Sequence, residues 1–355
     1  MRARGRHDHR SATCHDGHAI GLDLGATAVR AAVIRVDTRD GVSQVVHQLV
    51  GGLPLAPGTV VDGAVGDATA LTATLKELWK VYDIGCRNVI LGVANPQVQV
   101  RELQVPDLNP ADRARSLSFQ AREIIAMPMD QVVLDFAPLG DTLDENNNVN
   151  GLLVATPREP VLAAVSAVEA AGLKVVRVDL SSFAVLRAVA EQGLTSEAVI
   201  DLGAHLTTVV VHQRGVPKVV RTLGRGGEEL TRRLAERLEL NLQEAEEAKC
   251  RDGLVSTGKV GSTLTELMGP LLNDIRTSIN YFRTANAGAP IQQVTLTGRA
   301  AQLPGLVAAV AQHVGAPTRL AEATDALGQP AKRTGKSDTR WASALSAGLA
   351  IGAAA

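Results

Sequence analysis

The chain has 355 residues, of which 45% are hydrophobic and 21% are charged. This length exceeds one compact core of roughly 150 residues and predicts two to three domains, while the hydrophobic content excludes a disordered or fibrous protein. Lys and Arg number 36 against 37 for Asp and Glu, and aromatic residues make up only 2%, so neither charge nor stacking rings favour a nucleic-acid partner.

Residues 1–18 are basic and rich in histidine, without the apolar stretch of a signal peptide. We predict a disordered leader, which is the commoner meaning of such composition. The alternative is a metal site formed by His7, His9, His15, His18 and Cys14.

The cysteines and the longest uncharged run bear on the compartment. An odd number of cysteines without a CxxC pair favours reduced cytosolic thiols. The longest uncharged run, residues 342–355, is shorter than the roughly 18 residues that cross a bilayer, so no transmembrane segment is predicted.

The first lobe is predicted to begin near residue 19. The segment AIGLDLGATAVRAAVIRV predicts two strands joined by a tight turn at Gly25, and residues 42–50 predict a third strand. Residues 67–82 predict a helix, because their apolar side chains recur at helical spacing, and residues 88–94 predict a buried strand.

From residue 98 the pattern changes to alternating polar and apolar positions in VQVRELQVP, followed by a helix and two further strands. This predicts a small inserted α+β subdomain. Residues 98–105 and 117–125 can line an apolar groove, but core packing is the commoner role of such positions, so no peptide-contact residue is assigned.

The most informative pattern is an internal echo. IGLDLGATAVRAAV at residues 20–33 aligns with AVIDLGAHLTTVVV at residues 198–211, so that Asp23 matches Asp201 and Gly25 matches Gly203. A duplicated hairpin predicts two related lobes.

These patterns divide the chain into the following predicted regions. They are a leader at 1–18; a first lobe at 19–97, 176–196 and 338–355; an inserted subdomain at 98–175; a second lobe at 197–227 and 294–323; a helical subdomain at 228–293; and a loop at 324–337.

The repeated hairpin suggests a site for phosphates. Each Asp ends a strand before a Gly turn, where the following amide groups can form a nest for anions. Asp23 and Asp201 can then face hydrated Mg²⁺, with Arg30 and the Thr207 hydroxyl directed at the phosphates. One DLG turn alone is more typical of an ordinary hairpin whose Gly has a positive φ, but two in register favour the phosphate site.

Two further motifs are each weak evidence for a nucleotide site when taken alone. VTLTGRAAQLPGL predicts a strand that ends at Gly298 before a helix, a geometry that lets the backbone approach a nucleoside. Gly226 and Gly227 precede a helix carrying Glu246 and Lys249 on one face, which an ordinary surface ion pair explains equally well.

In this order the four elements resemble the actin, FtsA and DnaK-type superfamily. Within it, residues 19–353 resemble the PilM family of type IV pilus assembly proteins through GLDLGATAVRAA, LPLAPGTVVDGAV, VRELQVPDL, LLVATPREPVLAAVSAVEAAGL and SINYFRTA. The resemblance implies an α/β, actin-like two-lobed fold with duplicated ribonuclease-H-like domains and an inserted subdomain of the 1C, or SHS2, type.

The resemblance also implies a site for ATP and Mg²⁺ between the lobes. Mg²⁺ would be bound through water by Asp23 and Asp201. The nucleotide-binding residues would be Gly25, Ala26, Thr27, Ala28, Arg30, Gly203, Ala204, His205, Thr207, Gly226, Gly227, Glu246, Lys249, Gly298 and Arg299. Arg299 stands where the family usually has a second Gly, so its side chain either stacks on the adenine or partly fills the pocket.

Catalysis stays open in the sequence. Asp179 lies where superfamily ATPases place a group that orients the attacking water, but it can equally cap the helix that follows. The resemblance implies ATP binding and, at most, slow hydrolysis.

The implied function is that of a cytoplasmic adaptor at the inner face of the membrane. It would bind the N-terminal cytoplasmic peptide of PilN and link PilN and PilO to the motor ATPases of the pilus. The alternatives are an FtsA-like cell-division scaffold, which would end in an amphipathic membrane helix, and a small-molecule kinase, which would need a catalytic carboxylate and a polar substrate pocket.

Overall fold

The computed structural model describes residues 17–39, 42–143, 145, 147–191, 193–286, 289–321 and 343–354. The strands of this part are β1 (His18–Leu24), β2 (Ala28–Arg39), β3 (Val42–Pro54), β4 (Val60–Val61), β5 (Ala64–Val65), β6 (Asn88–Val93), β7 (Gln99–Pro106), β8 (Val132–Leu143), β9 (Asn148–Pro157), β10 (Lys174–Leu180), β11 (Ser196–Leu202), β12 (Thr207–Gln213), β13 (Val216–Leu223), β14 (Gln293–Thr297) and β15 (Thr318–Leu320). The α-helices are α1 (Ala68–Tyr82), α2 (Pro110–Ile124), α3 (Arg158–Ala170), α4 (Ser181–Val189), α5 (Gly227–Leu238), α6 (Leu242–Asp252), α7 (Lys259–Ala285), α8 (Leu306–Val314) and α9 (Ala344–Ala354).

Two five-stranded sheets share one topology. Their orders are β3-β2-β1-β6-β10 and β13-β12-β11-β14-β15. In each sheet three consecutive antiparallel strands are extended by two strands parallel to the first. The duplication predicted from the echoed hairpins is therefore confirmed in the strand order.

Each sheet buries both faces. In the first lobe α1 and α3 cover one face, whereas α4 and α9 cover the other. In the second lobe α5 to α8 cover one face, and the opposite face packs its valines against α4 and the start of α9. The helices α4 and α9 therefore lie between the two sheets.

Local sequence explains where α1 begins and which way it faces. The side chain of Asp67 caps the helix by accepting a hydrogen bond from the Ala70 amide at 2.9 Å. Leu71, Leu75 and Leu78 are fully buried, which is the apolar stripe that helical spacing predicts.

The inserted subdomain is smaller than predicted. Its three-stranded sheet, β7-β9-β8, packs against α2 and ends at Pro157. The helix α3, which was assigned to the insert, buries Ala164, Ala167 and Val168 in the core of the first lobe instead. Leu117 and Ala121 of α2, and Ile125 just after it, lie in the core of the insert. Core packing was the commoner of the two roles considered for these positions.

The ends of the predicted regions differ in detail. β1 begins at His18, the last residue of the predicted leader, because this residue pairs with Arg35 of β2. The rest of the leader before Gly17 and the predicted loop at 324–337 lie outside the described residues. Of the three cysteines, Cys14 lies outside the described residues, and Cys250 is free and exposed.

The closing helix α9 consists mainly of small apolar residues. It buries Ala347, Leu349 and Ala350 against the first sheet and α4. Among the described residues no helix is long and apolar enough to cross a membrane.

Candidate functional site

The two echoed hairpins carry their aspartates on sheet faces that are turned toward each other. Asp23 pairs with Arg30 across β1 and β2, and Asp201 pairs with Thr208 across β11 and β12. Val199, on the same face as Asp201, packs against residues of α4 between the lobes. Ionised Asp23 is close enough to Asp201 to raise its pKa.

In the first hairpin the arginine is bound to the aspartate. The Arg30 Nη1 atom lies 3.2 Å from Asp23 Oδ2, and the Ser343 hydroxyl donates to the same oxygen at 3.3 Å. The Gly25 amide donates to the Ala28 carbonyl at 3.1 Å and so closes the turn. The amides left at the tip of the hairpin for an anion are therefore those of Ala26 and Thr27.

The need for glycine in these turns is steric rather than conformational. Neither Gly25 nor Gly203 has a positive φ, so the ordinary-hairpin explanation that relied on φ is wrong. A Cβ on Gly25 would lie 2.8 Å from Arg30 Nη1, so a side chain there would displace the guanidinium group from Asp23.

Asp201 is the most strongly perturbed carboxyl group of the site. Burial, and then the charge of Asp23, raise its pKa from 3.8 to about 6, while Arg30 acts in the opposite direction. Two carboxylates face each other with one arginine nearby, and this arrangement favours an added positive charge.

The second hairpin is bound to the start of α5 through the backbone. Gly227 and Glu228 donate their amides to the carbonyl oxygens of Gly203 and Ala204 at 3.0 and 2.9 Å. A Cβ on Gly226 would lie 2.2 Å from the Ala204 oxygen. The glycine pair therefore positions the hairpin by close backbone contact, and the Gly227 amide is not available to a phosphate.

The structure does not support the role predicted for the Thr207 hydroxyl. The Thr207 side chain is fully buried, and its hydroxyl donates to the Arg225 carbonyl at 2.7 Å. This bond links the start of β12 to the segment before α5, so Thr207 has a positioning role.

His205 makes a contact that the sequence analysis missed. Its Nε2 atom lies 2.9 Å from Glu228 Oε2, and its Nδ1 atom lies 4.0 Å from Asp62 Oδ1 on the β4–β5 turn of the first lobe. Asp62 and Gly63 have φ values of 49° and 78°, as in a type I′ turn. The Asp-Gly pair between apolar residues was the signal that could have revealed this turn.

Glu246 and Lys249 belong to a compact hydrogen-bonded cluster. Lys249 is buried, and its Nζ atom donates to Gly227 O at 3.0 Å, Thr231 Oγ1 at 2.7 Å and Glu246 Oε2 at 2.6 Å. These bonds use all three donors of the ammonium group, so Lys249 positions α5 against α6 and cannot also bind a base.

Glu246 differs from Lys249 in being exposed. Burial tends to raise the pKa of its carboxyl group, but hydrogen bonds from Lys249 and Thr231 outweigh burial and lower the pKa. The ionised carboxylate keeps one exposed side, where it can accept a bond from a ribose hydroxyl.

Gly298 and Arg299 lie beside this cluster. Gly298 has a φ of 89°, and a Cβ there would lie 2.3 Å from Leu202 O and 2.6 Å from Asp201 Oδ1. Only glycine therefore fits between β14 and the carboxylate. Arg299 is exposed and acts electrostatically on the thiol of Cys250, which places its charge at the edge of α6.

Asp179 does not cap the helix that follows it, and it belongs to an ionic cluster that the sequence analysis did not predict. Its Oδ2 atom accepts hydrogen bonds from Arg187 and, at 3.3 Å, from Arg177. The cap position of α4 is Leu180, without a side-chain cap. Arg177 and Arg187 also bind carbonyl groups of α9, so Asp179 is part of an ionic cluster that anchors the closing helix.

The residues present fit a nucleotide with a divalent cation. The raised pKa of Asp201 indicates a carboxylate that a cation would stabilise, and the hairpin tips offer amides for phosphate oxygens. Asp23, Asp201 and these amides would hold the group, while the Gly226–Gly227 segment, Thr207 and Lys249 support them from behind.

Comparison with known proteins gives the same picture. A sequence profile of the family described as type IV pilus assembly protein PilM matches residues 21–354. The structure of a PilM-PilN type IV pilus biogenesis complex contains a chain with 26% identity and a TM-score of 0.79, and the alignment covers 95% of this chain and 98% of that one.

More distant relatives share the fold. The cell division protein FtsA of Streptococcus pneumoniae is 26% identical in an alignment 266 residues long that covers 65% of this chain and only 57% of FtsA. MreB 5 of Spiroplasma citri, solved with AMPPNP, has 14% identity and a TM-score of 0.50 over 87% of this chain and 92% of MreB 5. The actin-like fold predicted from the four motifs is therefore confirmed.

Proposed function

This chain belongs to the type IV pilus assembly protein PilM family, and on that basis we propose that it is a cytoplasmic adaptor of the pilus assembly machinery. It binds the N-terminal cytoplasmic peptide of a PilN-like inner-membrane protein, and this partner keeps it at the inner face of the membrane. Through PilN and PilO it is linked to the motor side. The family match over residues 21–354, against 65% of the chain for FtsA, favours this role over a division scaffold.

The adaptor carries ATP and Mg²⁺ between its lobes. The observation behind this part of the proposal is the pair of facing aspartates beside two echoed hairpin turns, where burial, and then the charge of Asp23, raise the pKa of Asp201 to about 6. A hydrated divalent cation would stabilise both ionised carboxylates, and it would bring the phosphates to the amides of the two tips.

Nucleotide occupancy, rather than turnover, is the useful property in this proposal. Asp179 is bound by Arg177 and Arg187 through Oδ2, in a cluster that holds the closing helix, and we assign it no step in hydrolysis. ATP contacts hairpins from both lobes, so its binding would hold the lobes in one arrangement for the partner peptide.

The direct test is calorimetric titration with Mg·ATP and then with a synthetic PilN N-terminal peptide. We expect saturable binding of both ligands to the wild type, with loss of ATP binding in Asp23→Ala and Asp201→Ala. Asp130→Ala, at an exposed position of the insert, is the matched control. ATP turnover with a small acceptor and no peptide binding would refute the adaptor and favour a kinase.

Cys250 gives an independent report on the nucleoside end of the cleft. Its thiol is exposed, free and 3.4 Å from Glu246 Oε1. We expect ATP to slow alkylation at this cysteine, measured by peptide mapping. Arg299→Gly should weaken ATP binding about two- to fivefold if the guanidinium stacks on the base; tighter binding would mean that Arg299 fills the pocket.

A further inference from the structure

A threonine that the motif assignment left out lies in the same row as Asp201. Asp201 of β11 is in register with Thr208 of β12 and with Thr297 of β14. Side chains in register lie on one face of a sheet. Ile200 and Leu296, in register one position earlier, are buried in the core on the opposite face.

The face that carries Thr297 is turned toward the first lobe. Val199, two positions before Asp201 on the same strand, packs there against residues of α4. Directly after Thr297 the chain turns at Gly298, beneath the Asp201 carboxylate. Thr297 therefore lies at the end of β14, beside the carboxylate and on the side of the cleft.

The hydroxyl of Thr297 is buried without a partner. The residue is 1% exposed, and its Oγ1 atom has no hydrogen-bond partner among the described residues. Two other buried threonines of this sheet are satisfied: Thr207 donates to Arg225 O, and Thr295 donates to Glu197. A buried hydroxyl without a bond is costly and uncommon, so its position calls for an explanation.

We propose that the Thr297 hydroxyl accepts a hydrogen bond from a water molecule of the hydrated divalent cation that Asp23 and Asp201 hold. This inference rests on the proposed function. A phosphate oxygen is the less suitable partner, because it would lie against the negative charge of Asp201. A cation-bound water has two protons to donate, and Mg²⁺ retains several such waters, so one water can bind both the carboxylate and the hydroxyl.

Valine in place of Thr297 keeps the shape of the side chain and removes the hydroxyl, whereas serine keeps the hydroxyl. In the protein without ligand, Thr297→Val removes an unsatisfied polar group, so we expect a melting temperature about 2 °C higher than that of the wild type. The same variant should bind Mg·ATP about tenfold more weakly, while binding ATP in EDTA as the wild type does. Thr297→Ser should retain Mg·ATP affinity within about twofold.

The two readouts change in opposite directions, which separates a ligand role from a packing role. Equal Mg·ATP affinity in the wild type and Thr297→Val would overturn the inference and leave the proposed function intact. A lower melting temperature for Thr297→Val would also overturn it, because the hydroxyl would then be bonded without the cation. If the wild type itself fails to bind Mg·ATP, the nucleotide part of the proposed function is refuted, and this inference falls with it.

Discussion

Replacing Asp201 with asparagine should stabilise the protein without ligand, although it removes a residue of the nucleotide site. Burial and the charge of Asp23 raise the pKa of Asp201 from 3.8 to about 6. At neutral pH the folded chain therefore holds an ionised carboxylate in a place that disfavours the charge. Asp201→Asn keeps the shape of the side chain and removes that charge.

The size of the effect follows from the pKa. One pKa unit corresponds to about 1.36 kcal/mol, so a rise from 3.8 to about 6 sets a ceiling of about 3 kcal/mol. Asp201 retains some contact with solvent, which screens its charge. We therefore expect Asp201→Asn to raise the free energy of unfolding by about 1–2 kcal/mol at pH 8.

The pH dependence gives the sign of the effect. Because the folded pKa of Asp201 exceeds the unfolded value, the folded state binds more protons between pH 3.8 and about 6. The contribution of Asp201 to stability therefore increases as the pH falls through about 6 and is lost above it. The advantage of Asp201→Asn over the wild type should be full at pH 8, about half as large at pH 5, and small only near pH 4, close to the unfolded pKa.

Urea unfolding of the wild type and Asp201→Asn at pH 5, 6, 7 and 8, without nucleotide or Mg²⁺, measures this difference. The difference in the free energy of unfolding between the two proteins cancels the contributions that the histidines and the other carboxyl groups make to both. Asp23→Asn is the contrasting variant, since it breaks the ion pair with Arg30 and should destabilise the protein. An Asp201→Asn protein that is no more stable than wild type at pH 8, or equally stabilised at pH 5, would refute the reasoning.

Three further changes test other parts of the structure. Gly226→Ala should destabilise the protein by about 1–3 kcal/mol in thermal unfolding, because its Cβ would lie 2.2 Å from a carbonyl oxygen, whereas Gly269→Ala, in open space on a helix, should be neutral or stabilising. Glu197→Gln should destabilise the protein by about 2–4 kcal/mol at pH 7, because the fully buried carboxylate accepts hydrogen bonds that lower its pKa, although burial acts to raise it. The stability from these bonds is present above about pH 4.5 and is lost as the pH falls further, so the difference in unfolding free energy between the wild type and Glu197→Gln should shrink in acid. If the insert holds the partner peptide, Phe119→Ser, which changes a 69% exposed side chain on α2, should weaken peptide binding in calorimetry about tenfold, while Tyr281→Ser, 67% exposed on α7, should not; equal effects would place the peptide elsewhere.

The lobes could be predicted from the sequence because the signals were local and repeated. The turn at Gly25 and its echo at Gly203 each join two apolar strands, and this pattern appears in the structure as two sheets of one topology. The boundary of the insert could not be predicted in the same way. The sequence shows that α3 has an apolar face, but helical periodicity does not indicate which hydrophobic core that face packs into. In the structure it packs into the core of the first lobe.

The roles of individual site residues were harder to predict, because they depend on contacts between distant segments. Arg187 donates to the Gly348 carbonyl, which is 161 positions later in the chain. Ser343 reaches Asp23 from a segment 320 positions later in the chain. Motif spacing places such residues at the cleft but does not reveal which of their polar atoms are already bonded.

Hydrogen-bond satisfaction separates the motif residues into two groups. Lys249 uses all its donors, and the Thr207 hydroxyl is bonded to a carbonyl group, so both are complete without a ligand and act as supports. Asp201 and Thr297 are different: one is a carboxyl group whose charge is disfavoured where it lies, and the other is a buried hydroxyl without a partner among the described residues. Groups that reduce the stability of the protein without ligand, and that lie together at the end of two neighbouring strands, are the ones that ligand binding can stabilise most. The residues that contact the cation and its waters are therefore best sought among the unsatisfied members of the motifs.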